Sequence, residues 1–110
     1  MPKPNRIAEK LIVKKHIAPD GRLVLAVCDE ELLMQTLSED DIVLDLSTDF
    51  YKGTAMEAGD ASLLMKKAYI INLVGINSLH AAESLELVDK KNIITVSGIP
   101  HAQIIVTDSL

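Results

Sequence analysis

The chain has 110 residues, 48% of them hydrophobic and 25% charged, which is enough surface for one buried core, and no apolar run approaches the roughly 18 residues needed to cross a bilayer. The single cysteine, Cys28, excludes an internal disulfide, and neither end carries a signal peptide or lipidation signal, so a soluble cytoplasmic protein is expected. The net charge of −5 hides an asymmetry: residues 1–22 hold six basic against two acidic side chains, and the rest of the chain five against fourteen.

Residues 1–10 read as a flexible basic extension carrying Lys3, Arg6 and Lys10, ahead of a single domain over residues 11–110. Residues 11–17 and 22–28 are rich in branched apolar side chains, and Ala18-Pro19-Asp20-Gly21 between them has turn chemistry, so a β-hairpin is expected. The second strand is apolar throughout and should lie centrally, whereas Lys14, Lys15 and His16 leave the first half exposed. Asp29 then reads as the cap of a short helix ending near Ser38, with Leu32, Leu33 and Leu37 inward. Ile42, Leu44 and Leu46 alternate with Val43, Asp45 and Ser47 as in a strand with one solvated face. Residues 48–59 lack a period and are expected to form a long loop.

A second helix is predicted from an Asp60 cap through Ala68, with Lys66 and Lys67 complementing its negative end. Residues 69–74 fit a strand better than a continuation of that helix, and a third helix runs from Ser78 to about Val88. Residues 93–97 and 101–107 look like antiparallel strands joined through Gly98-Ile99-Pro100. The expected class is a compact two-layer α+β domain, with about three helices packed on a mixed or antiparallel sheet.

The most function-like residues lie in and near that last connection. His101 and Gln103 should share one strand face about 6.7 Å apart, where an imidazole and an amide either bind a phosphate, base edge or carboxylate, or satisfy backbone groups beside Pro100. Gly98 would permit close approach of a ligand, and Asn72, inside an apolar segment, needs partners if buried, so its amide either braces the loop before Gly75 or contacts a ligand. Lys10, Lys14, Lys15 and Arg22 are the candidate phosphate contacts. Cys28, His16, His80 and His101 show no metal-ligand spacing, and no phosphate loop or dinucleotide fingerprint occurs, so neither metal nor cofactor is expected. With three aromatic residues, Phe50, Tyr51 and Tyr69, the chain lacks the stacked rings of common single-strand RNA readers.

Four segments in order, Val27-Cys28-Asp29-Glu30-Glu31-Leu32-Leu33, Phe50-Tyr51-Lys52-Gly53, Asn72-Leu73-Val74-Gly75 and Gly98-Ile99-Pro100-His101-Ala102-Gln103, resemble the archaeal domain of unknown function 424 family over about residues 11–106. The chain departs from the family pattern at Met34 and Lys52, where members usually carry glycine. The resemblance implies an α+β fold and an RNA-binding or translation-associated role with RNA or the ribosome as partner, and no established reaction, cofactor or catalytic residue. Neither membrane attachment nor DNA sequence reading is expected, and no oligomeric state is specified. Two other readings stand beside RNA binding: a small enzyme using His101 as acid or base over a cleft with the Phe50/Tyr51 loop, and an interaction subunit whose Met34, Met56 and Met65 line a contact surface.

Overall fold

The computed structural model describes residues 10–106, so Lys3, Arg6 and most of the expected basic extension lie outside the described residues, and Lys10 already opens the first strand. The expected hairpin is present as β1 (Lys10–Ile17) and β2 (Leu23–Asp29), antiparallel with Ile17 opposite Leu23. The turn between them closes as Gly21 adopts φ +90° and its N–H donates to the Ala18 carbonyl at 2.8 Å.

No α-helix follows Asp29. A single 3₁₀ turn spans Glu30–Leu32, the chain turns extended at Leu33, and Met34 adopts φ +78°, which a helix cannot continue through. The segment then enters a small hairpin of its own, β3 (Thr36–Glu39) and β4 (Ile42–Asp45). The leucines expected to point inward do so, Leu32 and Leu37 being buried, but from a turn and a strand. The expected long loop is also more ordered than its composition suggests: a 3₁₀ turn at Asp49–Tyr51 leads into β5 (Thr54–Glu57), which pairs with β1. A Cβ on Gly53 would overlap the Val13 carbonyl, which is why the chain can come this close to β1.

Among the described residues two α-helices are present rather than the three expected. The first, α1 (Ala58–Met65), starts ahead of the expected Asp60 cap; Asp60 lies in its first turn and Lys66 follows its end. The strand expected at residues 69–74 is β6 (Ile70–Val74), and α2 (Ile76–Glu83) begins two residues before Ser78 and stops short of Val88. The last two strands, β7 (Ile94–Val96) and β8 (Ile99–Ile105), are antiparallel as expected, but their connection is shorter. It consists of Ser97 and Gly98, at φ +53° and +80°, the two positive values that a tight hairpin turn with right-handed twist requires. Ile99 and Pro100 already belong to β8.

The fold is α+β, with a six-stranded mixed sheet in the order β5-β1-β2-β6-β8-β7 and β3-β4 as a separate ribbon. Every pairing in the large sheet is antiparallel except β2 with β6. Cores lie on both sides of it. On the helix side Leu11, Val13, Leu25, Val27, Ile71, Leu73 and Ile104 pack against Ala61, Met65, Leu79 and Ala82. On the other side Ile12, Ala26, Cys28 and Val74 pack against Leu37, Leu46 and Tyr51. Strand β2, apolar on both faces, is covered on both, as expected of a central strand.

Candidate functional site: a polar row and a basic end of the sheet

The side chains expected to carry function fall into three groups, and the sheet register decides which of them meet. The first group is structural. Asp29, at the end of β2, is 1% exposed and caps a helix after all, but the one that begins at Ile76. Its Oδ1 accepts from the Ser78 backbone N–H and the Ser78 Oγ–H, both at 2.8 Å, and its Oδ2 accepts from the Asn77 N–H at 3.0 Å. Parallel pairing of β2 with β6 puts the two strand ends side by side, so a carboxylate leaving one strand reaches the positive end of the helix leaving the other. Gly75, at φ +114°, is part of the same device, since a Cβ there would overlap the Asp29 carboxylate. Its N–H donates to the Pro100 carbonyl at 2.9 Å, and its carbonyl accepts from Leu79 at 3.0 Å. The donor that Pro100 lacks is therefore not missed inside β8, because the carbonyl it would have met is engaged by α2. Gly75 and Pro100 serve this corner.

The second group is a row across the sheet. Lys14 lies opposite Ala26, Ala26 beside Asn72, and Asn72 opposite Gln103, which places Lys14, Asn72 and Gln103 on one face within about 14 Å. The next row toward the hairpin end holds His16, Val24, Ile70 and Ile105. The β3-β4 ribbon and Tyr51 cover Ile12, Cys28 and Val74 and reach Ala26 in the middle of the polar row; beside it Lys14 and Asn72 are half-buried, and Gln103 and, one row on, Ile105 are exposed.

His101 occupies the covered row, opposite Val74. Half-buried, it donates from Nδ1 to the Leu73 carbonyl at 2.8 Å. Of the two roles open to it, backbone bracing is the one its geometry fills. The Phe50/Tyr51 loop, expected to form a cleft with His101, is held by His16: its ring stacks on Phe50 with centroids 4.5 Å apart, and its Nε2 lies 3.0 Å from the Phe50 carbonyl. Gly98 lies in the β7-β8 turn, where a Cβ would meet nothing. That turn is held by Ser97, which donates from its N–H to the Glu39 carboxylate and from Oγ to the Ser38 carbonyl, both at 2.7 Å.

The third group sets the electrostatics. Arg22 immediately precedes β2 at the hairpin end, paired with Asp20 at 3.3 Å and with its guanidinium carbon 4.1 Å from the Tyr69 ring centroid. Lys66 and Lys67, explained in the sequence as complements to a helix end, arrive at this same end of the sheet and share a cavity with Arg22 and Tyr69. Lys15 projects to the helix side of β1 and Lys14 to the open face; neither, nor Lys66 or Lys67, makes an ion pair among the described residues. Lys10 sits at the far end of β1, opposite Glu57. Around that far end gather Asp29, Glu30, Glu31 and the Glu39-Asp40-Asp41 turn. The Gly98 to His101 segment and the cations of the hairpin are thus at opposite ends of the sheet, and only Gln103 and Asn72 of the polar candidates adjoin the basic end.

Buried acids elsewhere are silent. The Cys28 thiol is pushed up to about 12 by burial and the Asp29 charge, and the Tyr51 hydroxyl to about 12 by burial and Cys28, so both stay protonated and unreactive at neutral pH. The three methionines do not line one surface: Met65 is in the helix-side core, Met56 is packed at its margin and Met34 is exposed. No group of three or more His, Cys, Asp or Glu is placed to hold a metal among the described residues, and none of their helices is long and apolar enough to cross a membrane.

No curated protein is a significant match to the chain. A crystal structure of an uncharacterized conserved protein from Methanopyrus kandleri is similar over 92% of this chain and 96% of that one, with a TM-score of 0.76 and 27% identity. Family membership follows from the match of residues 17–106 to a family model: the chain belongs to the family described as protein of unknown function (DUF424).

Proposed function

We propose that this domain is a non-enzymatic RNA-binding module, of the kind that works beside the translation machinery, and that RNA meets it at the hairpin end of the sheet. The observation that supports this reading is the one-ended placement of charge. Arg22, Lys66 and Lys67 share a cavity at the hairpin end, Lys14 and Lys15 lie on opposite faces of β1 on the way to it, and the acidic clusters lie at the other end, so a net charge of −5 coexists with a local surface that attracts phosphates and orients the molecule as it approaches. The Lys14, Asn72 and Gln103 row supplies hydrogen-bond donors and acceptors beside those cations.

The test is the fluorescence anisotropy of labelled structured RNA at increasing salt. Affinity should fall by at least about tenfold between roughly 50 and 200 mM salt, since several lysines release counterions. Lys14→Glu with Lys15→Glu should lower it further at any salt, whereas Glu30→Gln with Glu31→Gln at the acidic end should not. Absence of binding at low salt, or binding indifferent to salt, would overturn the reading.

A further inference from the structure

A cavity of about 900 Å³, open to solvent, lies at the hairpin end, lined by Arg22, Lys66, Lys67 and Tyr69 with Gly21, Leu23, Ala68 and Val106. Its walls differ in kind. Three cationic residues line it, of which only Arg22 is ion-paired among the described residues, through its Nε to an exposed Asp20. The Arg22 guanidinium carbon lies over the Tyr69 ring at 4.1 Å from its centroid, and the Arg22 side chain is 53% exposed, so a flat group can approach the guanidinium from solvent. The remaining lining is small or apolar, and even a methyl group on Gly21 would meet nothing within 4 Å. The backbone around it is already paired, Tyr69 N–H to the Leu23 carbonyl at 2.8 Å and Val106 N–H to the Tyr69 carbonyl at 2.7 Å, so recognition here falls to side chains. One lysine after α1 would complement the helix dipole; two lysines and an arginine around one cavity exceed that requirement.

We infer that this cavity is a nucleotide site, in which Lys66 and Lys67 take a phosphate and the base stacks on the Arg22 guanidinium. The inference rests on the RNA-binding reading and names the part of the ligand that is seated: a phosphate with its adjoining base, offered either by an RNA chain or by a free nucleotide. The two sources are separable.

The experiment follows the backbone amide resonances of Gly21, Arg22, Ala68 and Tyr69 while the protein is titrated with inorganic phosphate, with AMP, and with a short 5′-phosphorylated RNA. AMP should shift these four, and phosphate alone should bind about tenfold or more weakly for want of the stacked base. In Lys66→Glu/Lys67→Glu, both exposed positions, AMP shifts should vanish and RNA affinity should drop by about tenfold. Tyr69→Leu should weaken AMP and leave inorganic phosphate unchanged, a split that a folding defect would not give. RNA binding that persists undiminished in the double lysine variant, with no AMP shifts in the wild type, would overturn the site while leaving the RNA reading intact. AMP shifts at these amides without RNA binding at low salt would support the site with a free nucleotide as ligand and overturn the RNA reading.

Discussion

Removing the Asp29 carboxylate should cost the domain more than any other single polar change, and Gly75 should register the loss. In Asp29→Ala the N–H groups of Asn77 and Ser78 lose an ionised acceptor in a place where Ser78 is fully buried. With about 1.5–3 kcal/mol for each bond to a charged group, less the desolvation that the carboxylate no longer bears, a net loss of about 3–4 kcal/mol is expected. That is a large share of the roughly 5–15 kcal/mol that holds a domain together. Asp29→Asn keeps one oxygen for Ser78 but turns an amide donor toward the Asn77 N–H, for a loss of about 1–3 kcal/mol. Gly75→Ala is strained by its φ of +114° and by overlap with the Asp29 carboxylate. The second of these costs disappears when Asp29 is already alanine, so the double variant should be more stable than additivity allows by about 1 kcal/mol or more. Urea unfolding followed by circular dichroism at neutral pH measures all four corners of the cycle. Additivity within about 0.5 kcal/mol, or an Asp29→Ala loss under about 1 kcal/mol, would refute the cap as described.

Met34→Gly should leave stability unchanged or raise it by up to about 1 kcal/mol, since the strain of a methionine at φ +78° is traded against the greater freedom of glycine in the unfolded chain. Met34→Val, β-branched at the same φ, should cost about 1–2 kcal/mol, and both are read from urea midpoints. Cys28 and Tyr51 both titrate higher in the fold, near 12, than their ordinary 9.0 and 10.0. Their contribution is therefore complete below pH 9 and is lost as the pH climbs toward 12, at about 1.4 kcal/mol per pH unit for each group; Cys28→Ala should delay the onset of this loss to about pH 10 in an alkaline series of unfolding curves. His101→Ala should cost about 1 kcal/mol and leave RNA affinity unchanged, and Gln103→Ala should do the reverse, stability moving by less than about 0.5 kcal/mol.

Where the sequence was legible, the signal was local. The apolar run of β2 predicted a central strand and the turn chemistry of residues 18–21 a hairpin, and both are present. The β-branched residues of β6 outweighed its helical alternative. Asp29 shows where locality ends: the residue type announced a helix cap, but the helix begins 47 positions further on in the chain, brought near by the β2-β6 pairing. The same holds for Lys66 and Lys67, whose residue types fit a helix end locally, while only the fold brings them to one cavity with Arg22. Met34 is the opposite case. A methionine gives no local sign of a left-handed backbone, yet φ there is +78°; at Lys52, the other position where the resemblance implies glycine, φ is −83° and nothing requires one. Of the polar candidates, the alternation along β8 correctly put His101 and Gln103 on one face, but only the ribbon laid over half of that face decides which of them is exposed.

The single parallel pairing also governs how this chain must assemble. The β1-β2 hairpin can form from residues close in sequence, but Val24 has to wait for Ile70, and closing so long a segment is slow and entropically costly. In the interval β2, the most apolar strand, presents an unpaired edge to other copies of itself. Refolding yield should therefore decline with protein concentration even where the native state is fully stable, and the vulnerable species is a half-sheet whose open edge is the one that β6 later closes.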